Sequence, residues 1–510
     1  MDEMEENAPF SFGVTVAFTL NYIIGTGFLT LPWGFNQTGN ILGVTVLGVM
    51  TMFAISAALF LLESMARAEA YANQTNNFGS FMGDNIVTNY KSLLPITIRN
   101  DSQQFVPLVS TKTEDQLVHT VPLSENHAVG SQKYEVTELC KIFLGKQSVR
   151  VYTFLISVYM YGTLWAYATV FADSLAMRLP LTSTIGTELN SYSYGMYLLL
   201  FAVIVVPSSM LELSEQVFVQ VTLSICRIVM VLLMVCTITM AVWQQAEDNS
   251  SQPFGPLTRI SSPSVFKKDP FNMKKLYLLL PMAAYATIFH HSIPSISQPV
   301  KDKLQLGWIF AVTLLVCFIA YTTMAIVISN YFENETLISS NLDWEFYWGK
   351  LTSNREIPLY ARCISSFVVL LPALDVASAF PLNAITLGNS LMSAYYGSRI
   401  HVLGVDECRR ARILFRLFSA VPPLFAASFV SDLGTITHFA GVSGFAIAFI
   451  FPALLAIFSQ RLLTNHGLPY KTHYSCFLTS RWIAGLSILI GLFLIVFVTI
   501  SLALIGPPPA

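Results

Sequence analysis

The sequence predicts an all-α integral membrane protein of about eleven transmembrane helices, and three observations carry that prediction. First, 54% of its 510 residues are hydrophobic and only 11% are charged, with a mean hydropathy of +0.58. A soluble domain keeps about 25% charged residues to cover its surface, so this little charge leaves much of the surface facing lipid. Second, the apolar residues gather into runs of roughly 20, the length that crosses a hydrocarbon core about 30 Å thick. Third, two of the runs are interrupted by glycine or proline at matching places. The net charge of -2 offers no basic face for nucleic acid.

The runs lie near 11–34, 42–62, 151–173, 196–211, 217–242, 276–296, 307–329, 359–390, 413–430, 434–459 and 482–506, the fourth running into Pro207. The opening MDEMEENAPF is acidic and lacks a basic n-region, and the apolar stretch after it is too long for a signal peptide, so it reads as a retained first span. Residues 1–9 are then an acidic cytosolic tail, 10–71 carry two spans, and 149–510 carry the other nine within one membrane domain. Between them, 72–148 is polar and without sustained periodicity until KYEVTELCKIFLG. It is expected to be a largely disordered cytosolic loop with a short helix before the third span.

Lysine and arginine fall evenly on the two sides once the long 63–150 loop is discounted, so they do not orient the chain. The sequons at Asn249 and Asn334 fall in large loops on one side and favour an outer position for them, with the N-terminus cytosolic and the C-terminus extracellular or lumenal. Sequons also stand at Asn73 and Asn100 in the supposed cytosolic loop. Cys140, Cys408 and Cys476 are placed on the cytosolic side, where thiols stay reduced.

The first span reads FTLNYIIGTGFLTLPWGF, with Gly25-Thr26-Gly27 near its middle and Pro32 beyond; the sixth reads LYLLLPMAAYATIFHHSIPSISQPV, with Pro281, Pro294, Pro299 and the adjacent His290 and His291. Glycine weakens a helix by about 1 kcal/mol relative to alanine, and proline removes a donor. Alone, the first admits a plainer reading as a packing face or kink, and the histidines as interfacial groups. Together they open two halves of five spans each, whose topologies are inverted. Interrupted segments at corresponding positions of inverted halves point to a binding site between them.

Asn21-Tyr22-Ile23-Ile24-Gly25-Thr26-Gly27 resembles the N-x-x-x-G-[ST]-G signature in the first helix of the amino acid/auxin permease family, within the APC superfamily of transporters. Phe289-His290-His291-Ser292-Ile293-Pro294 is similar to that family's histidine-containing break, and Phe380-Pro381 to its F-P element. VYMYGTLWAYA, HHSIPSISQPV, AFPLNAITLGNS and DLGTITHFAGVSG resemble its transmembrane-protein-104 branch. The resemblance covers most of the chain outside 72–148 and the tails. It implies a five-plus-five inverted repeat with broken helices 1 and 6, an extra C-terminal helix, and an amino acid as substrate.

A zwitterion needs two opposed sites. Amides of Gly25, Thr26 and Gly27, with Ile24 leading into them, open a half-helix N-terminus suited to a carboxylate. Carbonyls from Phe289 through His290 and His291 to Ser292 are candidates to accept from the ammonium, and Tyr159, Tyr161 and Tyr285 are candidate walls, although tyrosine is also common filler in spans. In the sodium-coupled members of the family, the helix-one asparagine and a helix-eight hydroxyl hold the ion. Asn21 matches, but Asp375 stands near the hydroxyl position, with Ser378 three residues on and Arg227 in the fifth span. Arg227 is expected to pair with Asp375 and take the place of sodium, or else to form a static helix lock with it. Arginine does not deprotonate, so a transported proton would ride on Asp375 or His291. The coupling ion stays open between proton and sodium.

The expected function is secondary transport of a small amino acid across a lipid bilayer by alternating access. The alternative is an amino-acid sensor that keeps the fold without moving cargo. A channel is disfavoured because no span offers a ring of like charges or a filter-like loop. No zinc spacing, nucleophile elbow or phosphate loop stands in context, so no catalysis, cofactor or metal is expected.

Overall fold

The computed structural model describes residues 11–81, 127–130, 132, 134–181, 187–210, 217–247, 253–254, 271–333, 336–349, 356–396 and 404–506. Among these the regular structure is helical, with two isolated β-bridges. The first span is two helices, α1 (Phe12–Ile23) and α2 (Leu31–Thr38), joined through a 3-10 turn at Gly27–Thr30 and bent by 52°. The second is α3 (Asn40–Phe81), and α4 (Val136–Phe143) is the expected short helix before the third. Glu135 and Glu138 close a reciprocal capping box at its start. Spans three to five are α5 (Lys146–Arg178), α6 (Thr187–Ser208) and α7 (Val217–Glu247).

The sixth span is again divided, into α8 (Leu276–Thr287), a 3-10 turn at His290–Ser292 and α9 (Ile293–Ser297). Then come α10 (Leu306–Phe332), α11 (Leu359–Tyr396) and α12 (Val405–Ala427). Span ten is α13 (Leu433–Phe445), a π-helical turn at Ala446–Ile450 and α14 (Phe451–Asn465); the last is α15 (Arg481–Ile505). Asp432 caps α13, accepting from the amides of Gly434 and Thr435.

Among the described residues, eight helical spans are long and apolar enough to cross a membrane, and the bent first pair makes nine. The other two of the expected eleven spans fall short of that length and hydropathy. Residues 192–208 form a shorter apolar helix, and α12 opens with Asp406, Glu407, Arg409, Arg410 and Arg412, too much charge for hydrocarbon. Helix α3 also runs well beyond its apolar stretch, because helix formation needs no hydrophobic residues once a long helix is propagating. The loop expected at 72–148 is therefore helical to Phe81 and ordered again at 127–130 and from Tyr134; its middle, 82–126, lies outside the described residues.

The packing obeys the inverted repeat. The pairs α3–α10 and α5–α11 each join one element to its counterpart in the other half, and α2–α8 joins the two broken spans. Other contacts come in matched pairs: α1–α7 answers α8–α13, α1–α10 answers α8–α3, α5–α13 answers α11–α7, and α5–α6 answers α11–α12. The broken helices match as well. In each, a 3-10 turn precedes a helix with proline in its first turn, Pro32 in α2 and Pro294 in α9, where the missing N–H costs nothing.

On the face from which the chain enters α1, Arg67 of α3 is buried and ties several elements together. It pairs with Glu63 at 2.9 Å and donates to Ser459 and to the carbonyls of Ala456 and Tyr470. Residues 127–130 lie across the same face: Gly130 donates to Glu69 at 2.6 Å and accepts from Lys303, and His127 accepts from the amide of His473 at 2.8 Å. On the far face, 336–349 folds inward. Trp344 is fully buried and donates to Thr237 at 3.0 Å, Phe254 packs on its ring, and Glu345 pairs with Arg178 at 3.0 Å.

Candidate functional site

The two breaks face each other. The Thr26 and Tyr285 hydroxyls are 3.3 Å apart, joining the turn in span one to the end of α8. A Cβ on Gly27 would stand 2.7 Å from the Tyr285 ring and 3.0 Å from the Ala286 backbone, so only glycine lets the half-helices approach this closely. Ile24 is buried at the end of α1, and its backbone leaves the helix with φ -81° and ψ 75°. Past it, the leading amides of the 3-10 turn have no preceding helical turn to bond to.

The carbonyl end of α1 is capped by side chains from other helices. Arg227 of α7 donates to the Asn21 carbonyl at 2.9 Å, and Tyr321 of α10 donates to the Ile23 carbonyl at 3.2 Å. A cation is favoured here because the aligned peptide dipoles leave partial negative charge at a helix C-terminus. The same guanidinium grips Asp375 of α11 with two bonds, Nε to Oδ2 at 2.9 Å and Nη2 to Oδ1. Both residues are buried. A small cavity lies beside them, between Gly25–Leu29 of span one, Met230 of α7 and Leu371–Val376 of α11. Ser378 is turned back onto its own helix, donating to the Asp375 carbonyl at 2.8 Å.

Tyr159 of α5 lies among the groups of the sixth span, its ring centroid 5.9 Å from that of Tyr285 and 5.7 Å from that of His291. Tyr161 does not. It points at α12, where its hydroxyl donates to the Phe418 carbonyl at 2.7 Å, because residues two apart on a helix face opposite ways. Tyr167 takes the place expected of it: two helical turns from Tyr159, its hydroxyl lies 3.9 Å from where a Gly25 Cβ would be. A stripe at 159, 163 and 167 was present in the sequence, but an uncharged tyrosine in an apolar span carries no distinguishing signal. Tyr321 was missed for the same reason.

The break in span six also differs from expectation. The Phe289 carbonyl accepts from Ser292, and the His290 carbonyl from Ile293, within the 3-10 turn. The carbonyls left without a helical partner are those of Tyr285, Ala286 and Thr287, because Ile288 and Phe289 leave the helix. The side chains of Phe289 and His290 turn away from the site: Phe289 packs on Phe310, and His290 bonds the Ala54 carbonyl at 3.0 Å. His291 alone of the two histidines faces Tyr159, while Ser292 is buried at the start of α9. The sequons at Asn249 and Asn334 lie outside the described residues.

The broken, inverted halves and the buried site between them define a multi-pass integral membrane protein with all-helical architecture. No family model matches the chain. Along nearly its whole length it is similar to the transmembrane protein 104 homolog of Dictyostelium discoideum, 23% identical over 490 residues, covering 92% of this chain and 93% of the relative. The Drosophila melanogaster homolog is 25% identical over 499 residues (89% and 90%), and human transmembrane protein 104 is 22% identical over 527 residues (97% of each). Among solved structures, a mutant of the Eremococcus coleocola manganese transporter aligns with a TM-score of 0.48 at 11% identity, covering 98% of this chain and 88% of that one. The same transporter bound to an aromatic bis-isothiourea compound aligns at 0.44 and 10% identity, covering 99% of each.

Proposed function

We propose that the chain is a secondary transporter that moves a small amino acid by alternating access, without sodium and coupled to protons. The observation that carries this reading is the meeting of the two breaks at Thr26 and Tyr285. There, a half-helix N-terminus from one repeat stands beside a half-helix C-terminus from the other. Amides at Thr26 and Gly27 suit the substrate carboxylate, and the carbonyls of Tyr285 to Thr287 suit the ammonium. Binding through backbone asks for a zwitterion and leaves little room for a large side chain beside Tyr159, Tyr167 and Tyr285.

The Arg227 guanidinium supports sodium independence. It already places a fixed positive charge against the carbonyl end of α1 and the Asp375 carboxylate, which together would otherwise form an oxygen-rich cation site. The test is uptake into proteoliposomes bearing the full chain, offered an equimolar mixture of the twenty amino acids and read by mass spectrometry. Accumulation that persists when potassium replaces sodium supports the reading. Uptake that collapses on removing sodium alone refutes the role given to Arg227, and saturable binding without flux makes the chain a sensor instead.

A further inference from the structure

We propose that the His291 imidazole is the group that carries the coupled proton across the membrane, and that Asp375 is not. This rests on the transporter reading above.

Asp375 is unsuited to the task because both of its oxygens are bonded by one guanidinium. Protonating it would leave the Arg227 cation buried without its counter-charge, and arginine cannot give up a proton in compensation. The pair therefore stays charged through the cycle. His290 is unsuited for a different reason. Its Nε2 is spent on the Ala54 carbonyl, and the residue is only 1% exposed, wedged beside Phe289.

His291 differs from both. Its Nδ1 is buried without a hydrogen-bond partner, as is that of His290, but no carbonyl holds its other nitrogen and its ring faces Tyr159. The residue as a whole is part-exposed, and it heads a stripe with Ser295 and Gln298 on one side of α9. Helix α9 packs on α3 and α1, so an exposed polar stripe on its remaining side marks a watery path to the entry face. Protons can reach His291 along that path.

The titratable groups around it are few. Tyr159 of α5 meets its ring edge-on, and His290 is its neighbour in the turn. Helix α1 offers only Tyr22, the turn at Ala446–Ile450 offers none, and the charges of α3 (Glu63, Arg67 and Glu69) are held at the entry face. No described carboxylate balances an imidazolium here. The negative charge that loads with the proton is the substrate's carboxylate at the Thr26 and Gly27 amides, across Tyr285 and Tyr159 from His291, and the proton leaves the imidazole when the site opens to the other side. With a zwitterionic substrate, each cycle moves one net positive charge.

The experiment uses the same proteoliposomes and amino-acid mixture, with a pH gradient imposed and the membrane potential clamped. The wild-type protein should show uptake several-fold faster with the gradient than without, and a negative interior potential should accelerate it. His291→Gln should bring that ratio to about 1 with slower residual exchange at equal pH, and His290→Gln should keep the wild-type ratio. Thermal unfolding checks that both variants are folded. A gradient response that survives in folded His291→Gln overturns the assignment, as does wild-type flux indifferent to pH. Wild-type protein that moves no amino acid under any gradient overturns the transporter reading, and the assignment with it.

Discussion

Arg227 and Asp375 bring opposite full charges into the middle of the bundle, where either would be intolerable alone. Taking one partner away strands the other, at a cost of about 3–5 kcal/mol, whereas replacing both with apolar groups of similar volume is often neutral or better. Arg227→Met and Asp375→Leu should therefore each unfold at markedly lower temperature in detergent, and the double variant should regain most of the loss. A double variant no more stable than the worse single would show that the residues act separately. This pair was legible in the sequence because ionisable residues in apolar spans are too costly to be accidental. The tyrosines were not: Tyr159 and Tyr161 looked alike in the sequence, and only the 100° step of the helix separates the one at the site from the one on α12.

At the scale of elements, the segment folded into the far face has a cost built into it. Asp343 is buried with one oxygen accepting from the Leu337 amide and the other unbonded, and burial holds its carboxyl well above the usual carboxylate range, the Leu337 bond opposing only in part. A carboxyl raised in the folded state favours the fold only while it is protonated. Its penalty is absent below its ordinary value of 3.8, grows as pH climbs toward the folded value, and is fully present above that. Asp343→Asn, which cannot ionise, should raise the unfolding temperature at pH 7.5, with the gain shrinking toward pH 4. A gain that does not change with pH would mean that the carboxylate is compensated. The breaks themselves were readable because glycine and proline act through the backbone wherever they stand. The 127–130 segment and the Trp344 plug were not readable, since their contacts join residues far apart in sequence and leave no local period.

For the whole molecule, the matched contacts of the two halves mean that one set of packing rules serves twice, once in each orientation across the bilayer. That plan could be read from the placement of the breaks. The length of each helix could not, because hydropathy reports the apolar part of a helix and not its extent, as α3 and α12 show. The entry-face ties have a further consequence. Helices α1 to α3 are held to the rest by the α3–α10 and α3–α14 contacts, the Arg67 bonds, and the Glu69–Gly130–Lys303 bridge, none of which depends on an unbroken chain between 82 and 126. The protein should accordingly tolerate being made in two pieces. Fragments 1–100 and 101–510, synthesised together in one membrane, should co-purify through a tag on either. Exchange of both Arg67 and Glu69 for alanine should weaken that recovery, and fragments that never associate would show that the chain itself supplies the joint.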